Sequence, residues 1–251
     1  NNEEDYSFME ERGILMEEAQ EDGEIFVYMG GDQEVPDDVV RVRIAKSVKI
    51  IPSRAFYHRQ RLIDVELHDG IEIIKERAFS FCISLRSVKL LGVKVIAAWA
   101  FESCSNLIDV EFGVELETIE ERVFMRCYSL RTITMPSVKM IRTLAFGLCK
   151  QLTDLDLPEG LETIKECAFW SCHELKRIAI PLDCMIVGNS IFCNCPKLTA
   201  VDLVGRIHNT LASLHLENWR HEMKGEINRI NHVLPNTTSY QKTAEIQEWM
   251  R

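Results

Sequence analysis

Apolar side chains fall on a single repeating register from residue 51 to residue 203. Phe56, Phe79, Phe101, Phe124, Phe146, Phe169 and Phe192 are 22 or 23 residues apart. Each is followed six residues later by a leucine: Leu62, Leu85, Leu107, Leu130, Leu152, Leu175 and Leu198. Five residues before each Phe stands a β-branched aliphatic, from Ile51, Ile74, Ile96, Ile119, Ile141 and Ile164 to Val187. Nine and eleven residues after it come apolar pairs such as Val65/Leu67, Val110/Phe112 and Ile178/Ile180. The end of each unit alternates with period two, the pattern of a strand with one buried face. Val39, Val42 and Ile44 hold the same offsets ahead of Phe56, so the spacing predicts eight strands, the first in an incomplete opening repeat. A period of this length is that of a solenoid.

One unit cannot fold alone. Burying some six apolar side chains contributes on the order of 10 to 15 kcal/mol. Ordering about 22 residues costs more, at roughly 1 to 2 kcal/mol each in backbone entropy. Stacked neighbours shift the balance by sharing buried faces. The expected architecture is a pile of coils whose parallel strands lie about 4.8 Å apart in one sheet.

A second period lies beneath the first. The segments before Phe56, Phe101 and Phe146 read Ser47-Val-Lys-Ile-Ile, Gly92-Val-Lys-Val-Ile and Ser137-Val-Lys-Met-Ile. Those before Phe79, Phe124 and Phe169 read Gly70-Ile-Glu-Ile-Ile, Glu115-Leu-Glu-Thr-Ile and Gly160-Leu-Glu-Thr-Ile. The larger unit is therefore a pair of repeats, 45 residues long. The charges at the strands follow the same beat. One class carries Asp64/Glu66, Asp109/Glu111 and Asp154/Asp156; the other carries Arg41/Arg43, Arg86/Lys89, Arg131 and Lys176/Arg177. Opposite charges on neighbouring strands are mildly favourable. Two readings of this face stay open: a partner-binding surface, or a solvated ladder in which each exposed pair contributes about 0 to 1 kcal/mol. Nucleic acid is disfavoured as a partner, because it needs a coherent basic stripe and here each basic strand lies beside an acidic one.

Charge adds a boundary. Residues 1 to 38 hold fourteen acidic side chains against the single base Arg12, which leaves the rest of the chain slightly basic although the total is −10. Residues 1–23 read as a disordered, solvating tail, with a short helix through Phe8, Ile14 and Leu15 as the alternative. Residues 24–34 contain a strand-like run, Ile25 to Met29, ended by Gly30-Gly31, which is expected to cover the open end of the first coil. The solenoid occupies residues 35–204. Over 205–251 the spacing turns helical, with Ile207, Leu211, Leu214, Trp219, Met223, Ile227, Ile230 and Leu234 on one stripe. Pro235-Asn236 ends that helix, and a second pattern runs through Ala244, Ile246 and Trp249. The chain starts without Met and stops inside that pattern, as a segment of a longer protein would. No apolar run approaches the roughly 20 residues of a membrane span.

The unit Ile-x-x-x-Ala-Phe-x-x-Cys-x-x-Leu-x-x-Val-x-Leu, as between Ile96 and Phe112, resembles the BspA-type (Treponema-type) leucine-rich repeat. The flanking segments Phe26-Val-Tyr-Met-Gly-Gly, Val35-Pro-Asp-Asp-Val and Leu214-His-Leu-Glu-Asn-Trp-Arg resemble versions abundant in diatoms and related algae. The resemblance implies a leucine-rich-repeat solenoid: a right-handed, horseshoe-like superhelix with a parallel sheet, here with a C-terminal helical cap. It also implies protein or surface binding, and it brings no catalytic residues.

Of the nine cysteines, Cys82, Cys104, Cys127, Cys149, Cys172 and Cys195 share one repeat position three residues after the Phe, where the first repeat has Arg59. Buried free thiols packing as small hydrophobes are the expectation. The cluster of Cys172, Cys184, Cys193 and Cys195 lacks the paired C-x2-C spacing of a zinc site. Reduced cysteine in this number favours a cytoplasmic or nuclear compartment. P-loop, H-E-x-x-H, G-x-S-x-G and G-x-G-x-x-G motifs are missing, and the seven histidines are scattered, with surface positions the default expectation for all of them. The expectation is a non-catalytic protein-interaction module or scaffold without a cofactor, its partner a protein. A secreted adhesin and the regulatory domain of a larger protein are the alternatives.

Overall fold

The computed structural model describes residues 25–204 and 216–250. The acidic segment 1–23 and the residues Ile207, Leu211 and Leu214 of the expected helical stripe lie outside the described residues. Seven coils each contribute one longer strand, one two-residue strand and a turn around a Phe, and an eighth longer strand follows the last of them. The longer strands are β2 (Arg41–Ile44), β4 (Asp64–Glu66), β6 (Ser87–Leu90), β8 (Asp109–Phe112), β10 (Thr132–Thr134), β12 (Asp154–Asp156), β14 (Arg177–Pro181) and β16 (Ala200–Val204). The short ones are β3 (Ile50–Ile51), β5 (Ile73–Ile74), β7 (Val95–Ile96), β9 (Thr118–Ile119), β11 (Met140–Ile141), β13 (Thr163–Ile164) and β15 (Met185–Ile186). All pairings are parallel. Val42 aligns with Val65, Val88 with Val110 and Ile178 with Val201, so the strand register is the one the spacing predicts. The long face is interrupted between β4 and β6 and between β10 and β12, and the short face between β7 and β9.

The seven Phe rings form one buried column. Consecutive centroids lie 4.8 to 5.9 Å apart with planes within 9° of parallel. Around each of the first six Phe residues the backbone turns by left-handed residues two positions before and two after, such as Arg54 and His58 (φ 62° and 61°) or Leu144 and Leu148 (φ 57° and 64°), whereas Phe192 has only Asn194, two after. This conformation costs a non-glycine residue roughly 1 to 2 kcal/mol. It points alternate N–H groups at the next coil: Arg54, Phe56 and His58 donate to the carbonyls of Glu76, Ala78 and Ser80 at 3.1, 2.8 and 3.0 Å.

The cysteines add a parallel thread. Each of the six ladder thiols is buried and donates to the carbonyl of the Phe in the preceding coil, from Cys82 to Phe56 (3.0 Å) through Cys195 to Phe169 (3.1 Å). Arg59 occupies the first position of this row, and its Nε donates to the Val35 carbonyl at 2.9 Å. The thread therefore begins with a guanidinium and continues with sulfur.

The ends are closed by different means. β1 (Ile25–Tyr28) lies parallel to β2 with Ile25 opposite Arg41, and Tyr28 meets the Phe56 ring edge-on at 5.0 Å. At the far end stand α1 (Leu216–Val233), a 3-10 turn over Leu234–Asn236 that includes Pro235, and α2 (Lys242–Trp249). Ile230, Leu234 and Ile246 bury into the core as the spacing predicts. Ala244 does not: it faces solvent, and Lys242 and Thr243 take the buried side of α2. One register expectation is also corrected. In the last coil Ile186, not Val187, aligns with Ile164, and Val187 takes the place of Lys165. The extra residue is absorbed at Gly188, whose φ of 98° and close approach to Glu166 leave no room for a β-carbon.

Candidate interaction surface

Alternation about the buried residues fixes which side chains leave the long face. One row runs Arg41, Asp64, Ser87, Asp109, Thr132, Asp154, Arg177, Ala200; the second runs Arg43, Glu66, Lys89, Glu111, Thr134, Asp156, Ala179, Asp202. Of the thirteen charged residues expected on this face, ten sit in these rows. Arg86, Arg131 and Lys176 stand one residue ahead of their strands, at the exposed margin of the face. Ser87 and Thr132 hold the outward sites that Arg86 and Arg131 were expected to fill.

Opposite-charge pairing is therefore real but local. Arg43 pairs with Glu66 at 2.6 Å and Lys89 with Glu111 at 3.6 Å. At the other end Arg177 reaches Asp156 at 2.6 Å and Asp202 at 2.5 Å, and these two carboxylates, Asp156 first, raise the pKa of its guanidinium. In between, β10 offers hydroxyls, and Thr132 donates to Asp109. The centre of the face is consequently two threonines flanked by Asp109, Glu111, Asp154 and Asp156. Asp202 was legible from the Val201/Leu203 alternation and completes the C-terminal triad.

A second charge ladder runs beside the short face. Lys49, Glu72, Lys94, Glu117, Lys139 and Glu162 precede the short strands in turn, with Lys94–Glu72 at 3.1 Å and Lys139–Glu117 at 2.5 Å. A hydrogen bond from the Lys139 ammonium to Glu117 raises its pKa. This row is what the 45-residue period encodes. Further ion pairs join Glu120 to Arg142 at 3.1 Å and Glu174 to Lys197 at 2.6 Å, the latter lowering the pKa of Glu174 through its hydrogen bond.

Little of this is built for chemistry. Burial pushes the Cys82 thiol up to about 12 and those of Cys104, Cys127 and Cys172 well above the usual value, so these sulfurs are protonated donors at neutral pH. The Ser171 hydroxyl accepts a bond from Asn194 Nδ2 at 2.9 Å, and the His173 ring lies 3.2 Å from the same nitrogen. His68 spans to the Ala45 carbonyl at 3.0 Å, and His58 stacks on Phe81. Among the described residues no cluster of three or more His, Cys, Asp or Glu could hold a metal ion, and no helix is long and apolar enough to cross a membrane.

The sequence matches the BspA type leucine rich repeat region, in six copies, over residues 37–153 and 117–218. The chain belongs to the BspA-type leucine-rich repeat family. No curated protein matches it. Among solved structures it is similar to a leucine-rich repeat protein from Eubacterium ventriosum, with 18% identity over 76% of this chain and 45% of that one and a TM-score of 0.54. It is also similar to a leucine rich cell surface protein from Faecalibacterium prausnitzii (21% identity, 72% and 62% of the two chains, TM-score 0.41) and to the T. pallidum leucine rich repeat protein (19%, 79% and 87%, TM-score 0.48). The chain thus spans 62% and 45% of the lengths of the F. prausnitzii and E. ventriosum proteins. The E. ventriosum likeness carries the fold: a parallel-strand solenoid of the leucine-rich-repeat kind.

Proposed function

We propose that this chain is a non-catalytic protein-interaction module that binds through its long sheet face. The observation that carries the reading is the centre of that face, where Thr132 and Thr134 lie between the carboxylates of β8 and β12. An array with hydroxyls inside an acidic frame complements a basic protein surface. The basic residues Arg41 and Arg43 at one end, and Arg177 at the other, would set the partner's orientation. The ladder thiols support an intracellular compartment, since each is committed as a donor to a backbone carbonyl instead of to a second sulfur.

The test is retention of partners from cell extract on the immobilised chain, compared with Asp109→Lys plus Glu111→Lys and with Lys94→Glu on the short face. Loss of a bound protein with the first variant alone, while that variant remains cooperatively folded, is the expected result. Equal retention by all three proteins would place binding elsewhere.

A further inference from the structure

The outward row of the short face differs from that of the long face. Over its first six coils it reads Ile50, Ile73, Val95, Thr118, Met140, Thr163, with Met185 in the seventh, and it carries no charge. It is partly open: Ile50 and Val95 are 41% and 49% exposed, and Ile73, Thr118, Met140 and Thr163 are half-buried. Uncharged, largely apolar stripes of this extent are uncommon on isolated proteins. Along its margin runs the alternating row Lys49, Glu72, Lys94, Glu117, Lys139, Glu162, whose members in the two intrachain pairs remain 40 to 60% exposed and so have donors and acceptors to spare.

We propose that this stripe is the self-association surface of the chain and that its occupant is a second copy, running antiparallel. The argument is charge complementarity. Read backwards, an alternating row of even length becomes its own opposite. A two-fold axis between β7 and β9, where the short sheet is interrupted, sets Lys94 against Glu117 of the second copy, Glu72 against Lys139 and Lys49 against Glu162. The same axis brings Val95 to Thr118 and Ile73 to Met140. Every charge meets its counterion and every apolar side chain meets an uncharged one, the self-matching that an isologous interface requires. A parallel copy in register would oppose like charges at all six positions. Six coils at about 4.8 Å give a strip roughly 29 Å long, and with the reach of the flanking side chains about 600 Å² per copy. That is at the lower edge of stable interfaces, so the association is of micromolar strength. Twisted sheets pack face to face at about 30°, which concentrates contact on Lys94, Val95, Glu117 and Thr118. The long face stays free in this dimer, so failure of this proposal leaves the function proposed above untouched.

Sedimentation velocity over a concentration series tests it. The parent should pass from monomer to dimer mass as concentration rises through the micromolar range. Val95→Lys should hold the chain monomeric throughout with its melting temperature unchanged. Lys94→Glu should weaken association about tenfold or more, and adding Glu117→Lys should recover it, because the contact between copies regains opposite charges while the Lys94–Glu72 and Lys139–Glu117 pairs both stay broken. A parent that remains monomeric, a dimer indifferent to Val95→Lys, or a double variant no stronger than the single one would each overturn the proposal.

Discussion

The two ends of the solenoid present the same problem and solve it with different chemistry. At the N-terminal end β1 adds one more strand, so backbone satisfies backbone and Tyr28 finishes the aromatic column. At the C-terminal end no strand follows β16 among the described residues, and side chains stand in for a further coil. Their types follow from the direction of the ladder. Turn N–H groups point toward the following coil, so Phe192 is left with a donor, and the Thr243 hydroxyl accepts it at 2.9 Å. Short-strand carbonyls receive from the following coil, so those of Ile186 and Gly188 are left as acceptors, and the Gln247 amide donates to both at 3.1 and 2.9 Å. The buried Lys242 ammonium donates to the carbonyls of Pro196 (3.0 Å) and Leu198, and Asn231 Oδ1 accepts from Val201 N–H at 2.7 Å. A repeat array thus has chemically distinct ends even when its coils are alike: a strand can begin it, but only a matched set of donors and acceptors can finish it.

The largest effect expected from this contrast is alkaline. Ladder thiols with raised pKa values hold protons in the folded chain that the unfolded chain releases above about 9. Stability is complete below that pH and falls as pH rises toward the folded values, by about 1.4 kcal/mol per thiol per pH unit. Cys82, Cys104, Cys127, Cys149 and Cys172 act in the same direction, so the melting temperature should drop steeply between pH 9 and 11. Hydrogen exchange at pH 10 should show protection persisting longest in the β1–β2 pairing, on the far side of Arg59 from Cys82, the first titrating thiol; uniform protection would break the contrast. Next comes Phe124→Ala, in mid-column, at about 3 to 5 kcal/mol by chemical denaturation. A loss under 1 kcal/mol would mean that the column is not a shared core.

At the ends themselves, Thr243→Val orphans a buried N–H and should cost about 1 to 3 kcal/mol, whereas Tyr28→Phe removes only a hydroxyl bonded to the Gly31 carbonyl and should cost about 1 kcal/mol or less. Equal losses would erase the distinction between strand capping and side-chain capping. The smallest effects belong to the long face. Arg177→Met, which opens both of its ion pairs, should cost about 1 kcal/mol at low salt, and Glu111→Gln, which opens one looser pair, less than that. Salt should reduce both differences by screening exposed charge.

Much of this architecture is legible in the sequence because burial repeats. Phe, Leu and Cys at fixed offsets recur often enough to fix coil number, strand register and the inward direction of the thiols. What escapes is whatever occurs once. The extra residue at Gly188 shifts Ile186 into the place expected for Val187, and no other coil warns of it. Arg86, Arg131 and Lys176 share the charge beat of their strands, but parity from the buried Val88 and Ile178 and the half-buried Ile133 assigns the outward sites to Ser87, Thr132 and Arg177. The C-terminal cap is hidden for a different reason. Lys242, Thr243, Gln247 and Asn231 look like ordinary helix surface, since a pattern of apolar spacing is blind to polar groups that bury to meet a backbone.

The Lys/Glu row beside the short strands also constrains how such a protein can change length. Deleting or duplicating a single coil would set Glu beside Glu or Lys beside Lys at the junction, while adding or losing a pair keeps the phase. Growth is quantised: the array lengthens in steps of two coils, about 9.6 Å at a time, and variants of this chain differing by 45 residues should fold where those differing by 22 or 23 pay a penalty at the join.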